Sequence, residues 1–104
     1  MNKMTIYVIH HSHTDVGFTD TQEKIRFSHI EFIREALSLI EKRPNFKWNC
    51  ESCWCVQQFL AEATRAEKNK FVKFVQSGNI GLSGSYLDLA ELASERVINE
   101  TMDV

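Results

Sequence analysis

The sequence predicts an α/β fold, a βαβαβα segment around a parallel sheet, and three observations carry that reading. The run Thr5-Ile6-Tyr7-Val8-Ile9 is β-prone and apolar at nearly every position, as a strand covered on both faces of a parallel sheet would be. Ile30, Ile33, Leu37 and Ile40 then recur at helical spacing. Two further β-prone stretches, 46–50 and 80–83, alternate with helical patterns, and such alternation calls for right-handed crossovers between parallel strands.

Each element follows from local chemistry. The first strand, 5–9, leads into a polar loop. Asp20 with Glu23 offers a capping-box-like start for the first helix, and Lys42-Arg43-Pro44 stops it. After the strand at 46–50, residues 52–76 read as helical with a break near Thr64-Arg65, and Gly78 supplies the C-terminal stop. "NIGLSGSY" holds the third strand, and Ser94 caps a last helix still running at Val104. His29 is a surface or packing residue, and Trp48 and Trp54 belong to the core. Three strands are few for a closed α/β domain, so residues 1–104 are expected to be the amino-terminal fragment, about the opening third, of something larger.

Composition narrows the function. At 104 residues, 43% hydrophobic and 25% charged, the chain has the profile of one globular unit. A net charge of −2 offers no basic stripe for a phosphate backbone, so nucleic acid is set aside as a partner. The run at 5–9 is far short of the roughly 20 apolar residues of a membrane span and of the about 7 to 15 in a signal peptide, so no membrane partner and a cytoplasmic location are expected. Cys50, Cys53 and Cys55 are odd in number and crowded together. They read as reduced, buried small side chains near a helix start rather than a disulfide framework, with a metal cluster as the alternative.

Three of the four histidines fall in "HHSHTDVGFTD", residues 10–20, directly after the first strand. Loops at the carboxyl ends of parallel strands are where α/β proteins gather ligand and catalytic groups. Asn49, Glu51, Ser83, Ser85 and Tyr86 reach the same rim. In an extended chain His11, His13 and Asp15 project to one side and His10, Ser12 and Thr14 to the other. Imidazole and carboxylate two residues apart can chelate one ion, and this nitrogen–oxygen mix suits Zn²⁺ or a similar divalent metal better than Ca²⁺ or Mg²⁺. The plain alternative is that the histidines bond to nearby carbonyls. Gly17 permits a sharp turn, and Phe18 offers an aromatic face on which a sugar ring can stack. Glu51 and Glu91, also on the rim, read as solvated loop carboxylates. H-x-H-x-D also begins the metallo-β-lactamase signature, but Val16 stands where that pattern requires another histidine.

The stretch "HSHTDVGFTDT" resembles the opening of glycoside hydrolase family 38, the α-mannosidases, whose first strand ends in a pattern like H-S-H-x-D-P-G-W. "FVQSGNIGLSGSY" is similar to that family's helix, glycine turn and third strand. The resemblance implies that the chain supplies the first three strands of a seven-stranded barrel of the glycoside hydrolase/deacetylase type. It implies His13 and Asp15 as zinc ligands and Phe18 as the ring against the sugar. It also implies retaining hydrolysis of a carbohydrate, an α-mannoside or related sugar, with the catalytic nucleophile expected beyond Val104. Val16 replaces the family's proline, Phe18 its tryptophan, and "SGSYLDL" its Gly-Gly-Trp pattern. Two other readings remain: a metal-dependent deacetylase or amidohydrolase on a related barrel, and a non-catalytic carbohydrate- or metal-binding module. Taken alone, the chain is expected to be inactive, to bind zinc weakly and to self-associate through a strand edge or exposed helix face.

Overall fold

The computed structural model describes residues 2–16 and 19–86. Its elements run α1 (Gln22–Lys42), β1 (Trp48–Cys50), α2 (Cys53–Glu62), α3 (Arg65–Gln76) and β2 (Ile80–Leu82). The two strands pair in parallel, with Trp48 opposite Ile80, Asn49 opposite Gly81 and Cys50 opposite Leu82. The result is a small α/β unit with two parallel strands and three helices among the described residues.

The helices form where the pattern places them, with one correction. Thr21, not Asp20, caps α1: its hydroxyl accepts from the Lys24 N–H at 3.3 Å, while Asp20 accepts from the Thr21 N–H at 2.8 Å. Lys24 occupies the position where a reciprocal cap needs a carboxylate or amide, so no box closes. The break at Thr64 is a complete capping box with Glu67, their side chains and backbone N–H groups bonding reciprocally. The α3 end is a Schellman turn. Gly78 has φ 82°, and the N–H groups of Gly78 and Asn79 reach back to the carbonyls of Val75 and Phe74.

Ile30, Ile33, Ala36, Leu37 and Ile40 form the buried face of α1, closed by Cys50 and Ile80 from the sheet, Cys55 and Phe59 from α2, and Phe71 and Phe74 from α3. Phe59 is fully buried, its ring 5.3 Å from that of Phe71. Arg26 bridges α1 to Gln58 and Glu62 of α2. Arg34 reaches Glu67 of α3 at 3.3 Å.

The strand expected at 5–9 does not form, and its side chains are not buried: Ile6, Tyr7, Val8 and Ile9 are between 69 and 85% exposed. A run apolar at every position needs cover on both faces, and the described residues provide neither a second neighbour nor a covering layer. The segment does lie beside β1, where the Asn49 N–H donates to the His10 carbonyl at 2.7 Å. The helix expected after Ser94 lies outside the described residues. Among those described, no helix is long and apolar enough to cross a membrane.

Candidate functional site

The site grows from the end of β1. Trp48 and Cys50 face the helices and pack in or against the core, so strand alternation sends Asn49 and Glu51 to the opposite side. The Glu51 carboxylate uses both oxygens there. Its Oε1 accepts from His13 Nδ1 at 2.9 Å, and its Oε2 accepts from the Thr14 N–H at 2.7 Å. His11 Nδ1 stands 3.8 Å from the same Oε1. On the far edge of the ring, His13 Nε2 is 3.1 Å from Asp15 Oδ1. His13 thus bridges two carboxylates.

The loop is anchored from beneath. Thr14 and Ser52 are both buried, and the Ser52 hydroxyl donates to Thr14 Oγ1 at 3.3 Å. His10 turns the other way and stacks on Phe46 at 5.4 Å and 16°. Alternation along the loop is therefore as expected: His11, His13 and Asp15 gather, and His10 does not. The reading of Glu51 as a solvated carboxylate is corrected, because that side chain is the hub joining His13 and Thr14. Its position one residue past a strand, in phase with Asn49, is the signal that identifies it.

Burial pushes the Glu51 carboxyl up, but the hydrogen bonds from His13 and Thr14, with the charges of His13 and His11, outweigh that and hold it below the usual carboxylate range. His29 is a packing residue, edge-on to Phe32 and Trp54 at 5.3 and 6.1 Å. Burial lowers its pKa; Glu51 acts upward against that, and His13 acts downward with it.

The other rim residues also converge. Asn49 Nδ2 donates to Ser83 Oγ at 3.1 Å. The carbonyls of Ser85 and Tyr86 accept from the Cys53 and Trp54 N–H groups at the start of α2, and the Tyr86 hydroxyl bonds Gln57 at 2.7 Å. Gly17, Phe18 and Glu91 lie outside the described residues. Cys50 and Cys55 are buried in the core, and Cys53 Sγ donates to the Ser83 carbonyl at 3.0 Å. The Cys50–Cys55 hydrogen bond raises the Cys50 thiol and, with backbone donors of the helix start, brings Cys55 down to about 7 despite its burial. Among the described residues, no group of three or more histidine, cysteine and acidic side chains could hold a metal ion.

His13 and Asp15 nonetheless fit as two members of a zinc site. A tetrahedral ion with bonds of about 2.0 to 2.1 Å sets neighbouring donors roughly 3.3 Å apart, close to the observed 3.1 Å between Nε2 and Oδ1. A carboxylate on the remaining imidazole nitrogen is the usual companion of a metal-bound histidine.

A parallel α/β frame that carries an imidazole–carboxylate pair in the loop beside its strand ends has the layout in which α/β proteins gather ligand and catalytic groups. The chain belongs to glycosyl hydrolases family 38: the profile of that family's N-terminal domain matches residues 3–99. No curated protein matches it.

Proposed function

We propose that the chain is the amino-terminal part of a zinc-dependent retaining glycoside hydrolase acting on α-mannosides or related sugars. The observation that carries this reading is the His13–Asp15 pair, its donor atoms 3.1 Å apart and its imidazole backed by Glu51, in a chain of this family. His13 Nε2 and Asp15 Oδ1 would hold the ion. When bound, zinc would supply a positive charge that grips sugar hydroxyls and stabilises charge as the ring distorts. Glu51 and the buried Thr14–Ser52 pair keep the two donors converged. Phe18 would stack against the sugar. None of the described residues is assigned as the nucleophile. The three free thiols fit a reducing compartment such as the cytoplasm. The exposed apolar side chains at 6–9 favour self-association, which light scattering would register as a mass above that of the monomer.

The test is the zinc content of purified full-length variants together with α-mannoside hydrolysis. His13→Ala and Asp15→Ala are expected to lose zinc and activity, while His10→Ala, which loses only its stack on Phe46, keeps its zinc. Equal zinc in all three would refute the ligand assignment.

A further inference from the structure

The loop that carries His13 is held by a residue 38 positions away in the sequence. Glu51 meets it with two acceptors: Oε1 takes the proton on His13 Nδ1 at 2.9 Å, and Oε2 takes the Thr14 N–H at 2.7 Å. The two bonds define a plane and a distance, so the ring cannot rotate about its Cβ–Cγ bond without breaking the first, nor the loop lift without breaking the second. A carboxylate fixed against Nδ1 holds a proton on that nitrogen, so the nitrogen left to give up its proton to an ion is the other one. That nitrogen is Nε2, the atom beside Asp15 Oδ1.

We propose that Glu51 is the positioning residue of this site: it holds a proton on His13 Nδ1 and, through Thr14, sets the height of the loop, so that Nε2 and Asp15 meet as a preformed pair of donors. The inference rests on the metal reading above and deepens it. Glu51 touches neither ion nor sugar and acts through His13.

Glu51→Gln separates this role from plain scaffolding. The amide keeps a single oxygen acceptor. If that oxygen stays on the Thr14 N–H, the NH₂ faces Nδ1 and donates to it, which confines the imidazole proton to Nε2 and removes the donor atom. In the intact metal-free protein, long-range ¹⁵N–¹H correlation spectra of the His13 ring are expected to show Nδ1 protonated in the parent and unprotonated in E51Q. Zinc affinity, measured by competition with a chromophoric chelator, is expected to fall about 10- to 100-fold, with circular dichroism unchanged. E51D, which keeps both acceptors on an arm one carbon shorter, is expected between the two in both readouts, and carries the test if E51Q does not fold. Parent-like zinc affinity and tautomer in E51Q would overturn the inference. So would a loss of zinc as complete as that of His13→Ala with the tautomer unchanged, which would make Glu51 a ligand. If His13→Ala and Asp15→Ala leave zinc affinity intact, the metal reading fails, while the tautomer of E51Q still reports on Glu51 itself.

Discussion

Gly81 pairs with Asn49 across the two strands, and a Cβ placed on it would lie 2.7 Å from Asn49 Oδ1. Restoring an ordinary contact of 3.4 Å requires the amide to retreat by about 0.7 Å. The bond from Asn49 Nδ2 to Ser83 Oγ is already 3.1 Å long and does not survive such a shift. Gly81→Ala therefore loses one half-buried hydrogen bond, about 0.5 to 1.5 kcal/mol, and drives a side chain off its rotamer, about 0.5 to 1.5 kcal/mol. Against this stands the backbone gain of replacing glycine inside a strand, about 0.5 to 1 kcal/mol. The net expectation is a loss of about 0 to 2.5 kcal/mol, centred near 1. In an Asn49→Ala background the obstruction is gone and only the gain remains, so the same change should stabilise by about 0.5 to 1 kcal/mol. Urea unfolding of the four proteins in this cycle, with shifts in midpoint at constant slope, reads the coupling directly. A Gly81→Ala penalty of the same size in both backgrounds would refute the reasoning.

Phe59→Ala empties the centre of the core and is expected to cost about 3 to 5 kcal/mol, seen as a lowered urea midpoint. His29 is held neutral by burial, with Glu51 and His13 the charged groups acting on it. Its folded pKa lies below the ordinary imidazole value of about 6.5, so the unfolded chain binds the extra proton first. Stability is then full above that value and falls as pH drops below it; His29→Leu should flatten this slope in urea titrations of the metal-free protein. Phe18→Ala is expected to weaken α-mannoside turnover while sparing bound zinc, and Phe18→Trp to retain activity. Hydrolysis by Phe18→Ala equal to the parent would reduce that ring to packing.

What can be read in advance from such a chain depends on how local its cause is. Ile30, Ile33, Leu37 and Ile40 lie on one face because helical geometry alone places them there. The break at Thr64 and the turn at Gly78 are written in a few neighbouring residues, and both appear in the structure. The alternation of His10 against His11, His13 and Asp15 needed only an extended backbone. The strand at 5–9 failed for the opposite reason: strand formation is a pairing, and its partner is not encoded in the run itself. The role of Glu51 is hidden in the sequence on the same ground. Nothing in "NCESC" announces that a histidine 38 residues earlier will present its ring there, and only the parallel course of the loop beside β1 brings the two together.

Asn79, which completes the turn after α3, has no polar group to spare. Its backbone N–H donates to Phe74 and its carbonyl accepts from Trp48; its Oδ1 accepts from Ser77 at 2.6 Å, and its Nδ2 donates to the carbonyls of Pro44 and Phe46 at 2.8 and 2.9 Å. Asparagine is also a chemically perishable residue. Hydrolysis of this one amide would exchange an NH₂ for an oxygen, remove the donor from both bonds and set a negative charge against the two carbonyls. The tie between the start of β2 and the segment leading into β1 would become a repulsion. The durability of this corner of the fold at elevated temperature therefore depends on a single side-chain nitrogen, at the end of the sheet away from His13 and Asp15.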